Sequence, residues 1–132
     1  MIIEVVGALI EDAQGRLLTV RKKNTHRFML PGGKREPGED DLAALARELR
    51  EELGVQLISA APIGVFEAAA ANEANARVRS HPYRVVVAGR TVAAAEIEEL
   101  RWIDPAAPGE APLAPLLRDH ILPAVTGPAA TR

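Results

Sequence analysis

Three glutamates on one short helix are the feature that most constrains this chain. Residues 42–54 predict a helix, and at about 100° per residue Glu48, Glu51 and Glu52 fall on one narrow arc of its surface. The neighbouring arc is apolar and predicts a core-facing stripe of Leu42, Leu45, Leu49 and Leu53. Carboxylates at this spacing repel one another, so a bound divalent cation with oxygen ligands is one explanation for the cluster.

An ordinary solvated helix is the alternative, because Arg47 stands four residues before Glu51 and would neutralise it. The stretch upstream favours a ligand site. Residues 30–39 read LPGGKREPGE, and the glycines and prolines predict a bent backbone that approaches a ligand closely, in particular at Gly32 and Gly33. A tight loop before an acidic helix suits a cation that bridges to phosphate oxygens.

Taken together, the loop and the helix resemble the signature of a known family. Gly33, Glu39 and the run RELREELGV of residues 47–55 occupy every specified position of the Nudix box. Because those positions are fixed in both type and spacing, the chain is identified as a member of the Nudix hydrolase superfamily, of the MutT-like kind.

The resemblance implies roles for individual residues. Glu48, Glu51 and Glu52 would be ligands of Mg²⁺, with Mn²⁺ as a substitute, and the carbonyl of Gly32 would add a further oxygen. Glu48 would act either as a ligand or as the general base. Arg47 would orient a neighbouring glutamate through a charge-assisted hydrogen bond, with Glu39 as its structural partner.

Many relatives recruit one more acid from the loop before a Trp-bearing strand. Here Glu96 precedes Trp102 and is the preferred candidate for catalysis and metal binding. Glu98 and Glu99 are alternatives, and a plain acidic surface loop is the remaining interpretation.

Composition bounds the other possibilities. A chain of 132 residues predicts one domain, residues 1–126, with a flexible tail at 127–132. A net charge of −2 gives no electrostatic case for general nucleic-acid or membrane binding, and the absence of cysteine excludes disulfides and thiolate metal sites. Without a signal peptide or membrane-length apolar run, we expect a cytoplasmic protein. The sequence is compatible with a homodimer and does not decide the oligomeric state.

The order of elements predicts an α/β (α+β) fold. Strands are expected at residues 2–10, 16–20, 28–30, 55–61, 63–68 and 83–88, and residues 96–103 are expected to pass from an acidic loop into a strand. Helices are expected at 42–54 and from Leu113 to Pro123. The first two strands are expected to form a hairpin. These connections and the family resemblance predict a Nudix-like α/β/α sandwich, a mixed sheet covered by helices on both faces.

Substrate contacts are weakly specified. The basic loop before the box offers Arg21 and Arg27 to phosphate or base, although such loops are usually just solvated. Phe28 is the preferred ring to lie against a base. Asn72 lies in the alanine-rich stretch 68–76, which is expected to form a loop at the pocket mouth.

The predicted function is Mg²⁺-dependent hydrolysis of a pyrophosphate bond in a small nucleoside di- or triphosphate, releasing a nucleoside monophosphate. We expect modest discrimination among nucleotides, since only four residues of the chain are aromatic and the loops offer few polar groups. The alternatives are a nucleotide-binding regulatory module without turnover, and a hydrolase of ADP-ribose or another nucleotide sugar.

Overall fold

The structure, a computed structural model, describes residues 1–70 and 73–126. Asn72 and the predicted tail at 127–132 lie outside these ranges. The strands are β1 (Ile2–Leu9), β2 (Leu17–Lys22), β3 (Gly32–Lys34), β4 (Gln56–Pro62), β5 (Phe66–Ala69), β6 (Arg77–Ala88) and β7 (Ile97–Ile103). The helices are α1 (Asp41–Leu53) and α2 (Leu122–Thr126), and a π-helical turn (Leu116–Ile121) precedes α2. No helix within the described ranges has both the length and the apolarity to cross a membrane.

The strands form one large mixed sheet and one small antiparallel sheet. The order in the large sheet is β3-β1-β6-β4, with β5 also alongside β6; β1 and β6 run parallel and the other pairs antiparallel. In the small sheet β2 pairs with β7. The predicted α+β class with a mixed sheet and two helices is confirmed.

The predicted hairpin of the first two strands forms only near its turn, as far as the described residues show. There the Glu11–Leu17 bridge, the Asp12 N–H to Arg16 carbonyl bond and the Leu18 N–H to Ile10 carbonyl bond (both 2.9 Å) join the two segments, whereas β1 itself pairs with β3 and β6. The reason is burial. Residues 17–20 are buried on both faces of their strand, so β2 lies inside the fold and finds its partner in the distant β7.

The core has two parts, one on each face of the large sheet. Along β1, Val6 and Ala8 pack into the cluster that includes the buried face of α1, while Leu9 packs into the cluster built around Leu117 and Ile121. Successive strand residues point to opposite faces. The alternation in β1 therefore places helical segments on both faces of the sheet, as predicted.

Helix α1 begins and ends close to the predicted positions. The side chain of Asp40 accepts the Ala43 N–H at 2.8 Å, and Gly54 ends the helix with φ of 68°. The core stripe includes Leu45, Leu49 and Leu53, each fully buried. Leu42 does not belong to it, since it is 46% exposed in the first turn, where the stripe extends past the core.

The C-terminal helical segment differs from the prediction. Leu113 forms an isolated bridge with Phe28, and Pro123 does not end the helix but lies inside α2. Pro123 lies directly after the π-helical turn, where the hydrogen-bond register of the helical segment changes.

Several strand boundaries also differ. Residues 28–30 make isolated bridges only, and β3 lies within the predicted glycine loop. β5 begins at Phe66, and β6 extends back to Arg77. Pro82 is tolerated within β6 because it lies at the change of partner from β5 to β4, where no ladder bond is lost.

Candidate active site

The glutamate face of α1 lies against β3. Glu52 is 5% exposed, and its Oε1 accepts the N–H of Gly32 at 3.0 Å. Burial raises the pKa of this carboxyl to about 7, with repulsion from Glu48 adding to the effect and the Gly32 N–H opposing it. The protein alone therefore compensates an ionised Glu52 only in part.

Arg47 ties the acidic face to the loop before it. Its Nε and Nη2 donate to the two carboxylate oxygens of Glu39 at 2.8 and 2.9 Å, and Nη2 also donates to the carbonyl of Lys34 at 3.0 Å. Its Nη1 donates to Glu48 at 2.7 Å and to Glu51 at 3.4 Å. The guanidinium holds the pKa of Glu39 at about 2. Arg47 therefore links Glu39 of the loop to the carboxylates of the helix.

Two glycines allow the close approach of β3 to the helix. Gly32 has φ of 145°, and a Cβ there would lie 2.0 Å from the carbonyl oxygen of Val6. A Cβ on Gly33 would lie 2.8 Å from the carboxyl carbon of Glu48. Any side chain at either position would therefore displace the backbone or the glutamate.

An acidic cleft of about 480 Å³ opens at this point. Its lining includes all four glutamates predicted for the site, Glu48, Glu51, Glu52 and Glu96. The segment before β7 reaches the cleft because the Ala94 N–H donates to the Glu52 carbonyl at 3.0 Å. Glu98 does not line the cleft within the described part of the chain, and Glu99 instead pairs with Arg21 at 3.3 Å.

The cleft supplies ligands that a hard divalent cation prefers. Within residues 1–70 and 73–126, no three acidic or histidine side chains already converge on one point. Arg47 draws Glu48 and Glu51 toward itself, while Glu52 faces Gly32. Carboxylate oxygens are nevertheless the donors that Mg²⁺ and similar ions take, and a cation would offset the buried charge of Glu52.

An apolar cavity of about 210 Å³ adjoins the acidic cleft. It lies between the large sheet and the C-terminal helical segment, and the residues that border both spaces are Val5, Lys22, Gly33 and Lys34. The two lysines place positive charge at the junction of the two spaces. A ligand with an apolar end and an anionic end would therefore span both.

Sequence reasoning did not single out either lysine. Lys22 follows Val20 by two residues and so lies on the same face of the strand. That spacing was the only feature of the sequence that pointed to an inward-facing Lys22. Lys34 lies inside the box, yet nothing in its local pattern distinguishes it from a solvated loop lysine.

Three predicted substrate contacts line neither cavity. Arg21 donates to Glu99 and to the Thr25 carbonyl, and Arg27 donates to the carbonyl of Leu113 at 3.2 Å. Phe28 is 2% exposed in the core, with the Arg101 guanidinium 4.5 Å from its ring centroid. The expectation that this ring lies against a base is not met, because the ring packs inward. The predicted contact at Asn72 falls outside the described residues.

Comparison with known proteins places this geometry in a family. The NUDIX domain model matches residues 1–125. The CTP pyrophosphohydrolase of Escherichia coli is 38% identical over 117 residues, covering 86% of this chain and 84% of that protein.

Two solved structures share the fold. The solution structure of the E. coli ORF135 protein has a TM-score of 0.73 at 30% identity and covers 97% of this chain and 94% of its own. The MutT NUDIX hydrolase of Burkholderia pseudomallei has a TM-score of 0.82 at 26% identity, with coverages of 96% and 99%. The family model matches nearly the whole of this chain, and the glutamates of the family signature line one cleft. This chain therefore belongs to the Nudix hydrolase family.

Proposed function

We propose that this chain is a Mg²⁺-dependent hydrolase that cuts nucleoside triphosphates between the α- and β-phosphates, releasing a nucleoside monophosphate and pyrophosphate. One observation carries the proposal. The acidic cleft, suited to a cation and phosphates, adjoins an apolar cavity at a border that carries two lysines.

The comparisons support this reaction class. The E. coli relative is named a CTP pyrophosphohydrolase, and it aligns with most of this chain. Nudix hydrolases generally need a divalent metal and act on small nucleotides. Mg²⁺ is the proposed ion, with Mn²⁺ as a substitute, because the available donors are all oxygens.

The carboxylates of the cleft have distinct proposed roles. Glu51 and Glu52 would ligate the ion together with Glu96 and the carbonyl of Gly32, and Glu48 would be either a further ligand or the general base. When bound, the ion would neutralise phosphate charge and lower the pKa of a coordinated water.

Arg47 is proposed as a positioning residue. Its bidentate grip on Glu39 fixes the guanidinium, which then holds Glu48 by a 2.7 Å hydrogen bond. Lys22 and Lys34 lie where a polyphosphate would pass from the cleft to the cavity. Their ammonium groups are suited to bind its oxygens as point charges.

The size of the apolar cavity favours a single nucleoside over a dinucleotide. At about 210 Å³ it is below the range of roughly 300–1,000 Å³ typical of drug-sized ligands. ADP-ribose has a second ribose that would need its own binding site, and the described lining residues do not form a second sugar site.

Pyrophosphate release from a panel of nucleoside triphosphates tests the proposal. Turnover is expected with Mg²⁺, retained with Mn²⁺ and abolished by a chelator. ADP-ribose and a dinucleoside polyphosphate complete the panel. If the enzyme hydrolyses either of these efficiently and does not hydrolyse nucleoside triphosphates, the proposed substrate class is wrong. If its activity is the same with and without the chelator, the proposed metal requirement is wrong.

A further inference from the structure

Ala95, the neighbour of Glu96 in the lining of the acidic cleft, has an unusual backbone conformation. Its φ is 52°, in the left-handed region that residues with a Cβ rarely adopt. In the part of the chain that the structure describes, the other non-glycine residues with positive φ are Asn24 and Asn75. Asparagine tolerates this region because its short side chain bonds to nearby backbone groups, which alanine cannot do. Ala95 is therefore a strained position at the edge of the site.

Ala95 and Glu96 are the two central residues of a tight turn. The N–H of Ile97 donates to the carbonyl of Ala94 at 3.0 Å and closes this turn. A turn with positive φ at its first central residue ordinarily takes glycine there. With alanine in that place, the conformation must be held by contacts with the rest of the protein.

Two backbone hydrogen bonds hold the turn from opposite sides. The Ala94 N–H donates to the carbonyl of Glu52 at 3.0 Å, which satisfies one of the carbonyls left free in the last turn of α1. The Lys23 N–H, directly after β2, donates to the carbonyl of Glu96 at 2.8 Å. Ala95 lies between these two fixed points. A different φ at Ala95 would therefore change the direction in which the chain presents Glu96.

The backbone, rather than a side-chain partner, sets the place of Glu96. Arg47 holds the carboxylates of Glu48 and Glu51. Glu96, by contrast, has no ion pair with any residue of the described ranges, yet it lines the same cleft. Ala95 is exposed, so packing of its methyl group does not account for its conformation.

We infer that Ala95 is a positioning residue, whose left-handed backbone directs the Glu96 carboxylate toward the divalent cation of the cleft. The inference rests on that part of the proposed function which makes Glu96 a ligand of the ion. A residue that does not adopt a φ near 52° should weaken cation binding, and should do so through Glu96. A residue of similar size that tolerates this φ should leave cation binding unchanged.

The dissociation constant of Mn²⁺, measured without nucleotide from the electron paramagnetic resonance signal of the free ion, tests the inference. Ala95→Val introduces a β-branched side chain, for which positive φ is a true outlier, and the Kd should rise by about tenfold. Ala95→Asn is the matched control, because asparagine adds comparable bulk and tolerates the left-handed region; its Kd should stay within about twofold of wild type. An unchanged Kd in Ala95→Val, or an equal rise in both variants, would overturn the inference.

A double-mutant cycle shows whether position 95 acts through Glu96. Glu96→Gln should raise the Kd of Mn²⁺ by itself, and adding Ala95→Val should cause no further rise, because the ligand being positioned is already lost. Additive rises would mean that position 95 affects the ion by another route. An unchanged Kd in Glu96→Gln would mean that there is no ligand to position. Either result would refute the inference.

Ala95→Gly keeps the test decisive if the valine variant does not fold. Glycine adopts a φ of 52° without steric cost, so the urea midpoint in chelator should rise above that of wild type. A lower midpoint would mean that the alanine is not strained, contrary to the inference.

Turnover by the wild-type protein separates this inference from the proposed function. If wild type hydrolyses nucleoside triphosphates with Mg²⁺ but the Mn²⁺ constants do not follow the expected pattern, the proposed function stands and the inference fails. If the Mn²⁺ pattern is found and no nucleoside triphosphate is hydrolysed, the proposed reaction fails and the positioning of Glu96 by Ala95 stands.

Discussion

Glu52→Gln should make the metal-free protein more stable while removing its activity. Glutamine preserves the shape of the side chain and the oxygen that accepts the Gly32 N–H at 3.0 Å, but it removes the buried charge. In the protein without metal, that charge is unfavourable because the Glu52 side chain is almost completely buried.

The magnitude follows from the pKa. The Glu52 pKa is raised from 4.5 to about 7, which corresponds to about 3 kcal/mol of lost stability for the ionised form. Between these pH values the folded state binds more protons than the unfolded state, so stability falls as pH rises. The penalty is absent below pH 4.5 and complete above about 7. At pH 8 the variant should therefore be more stable than wild type by about 3 kcal/mol, and at pH 4.5 the two should be nearly equal.

Urea unfolding followed by Trp102 fluorescence, in chelator from pH 4.5 to 8, measures this difference. Glu51→Gln is the matched control, because the Glu51 side chain lies one residue away on the same helix but is 53% exposed. Glu51→Gln should not show the pH-dependent gain in the free energy of unfolding. Adding Mg²⁺ should stabilise wild type and not the Glu52 variant, since binding to the folded state alone stabilises it. A Glu52→Gln protein that is no more stable than wild type at pH 8, or that retains Mg²⁺-dependent turnover, would refute the reasoning.

Three further predictions concern the surroundings of the cleft. Glu39→Gln should lower the free energy of unfolding at pH 7, because the folded protein holds the Glu39 pKa at about 2 and so favours the charged form. The difference in stability from wild type should disappear as the pH falls from 4.5 toward 2, and urea midpoints at pH 7 and pH 2.5 measure it. Gly33→Ala should retain the fold, as judged by circular dichroism, but lower kcat by at least about tenfold, because its Cβ would displace the Glu48 carboxylate; a kcat equal to wild type would contradict this. Glu96→Gln should lower kcat and raise the Mg²⁺ concentration needed for half-maximal rate, whereas Glu98→Gln should change neither, and the reverse pattern would move the assignment to Glu98.

The sequence alone determined the local features of the site. The helix was predicted within one residue at each end. The leucine spacing and the terminal Gly54 that indicate it depend only on residues one helical turn apart. The spacing of Glu48, Glu51 and Glu52 placed them on one face for the same reason. Such short-range patterns are encoded by neighbouring residues and do not depend on the rest of the fold.

Only the tertiary structure decided which distant segments meet. β2 pairs with β7 rather than with β1, and this pairing, which depends on burial across the whole chain, leaves Arg21 beside Glu99. Phe28 turned inward because a buried ring contributes more stability than an exposed one. The apolar cavity is lined by residues of several strands and of the C-terminal helical segment, which are far apart in the sequence. A cavity is a property of several elements packed together, so no local pattern in one of them announces it.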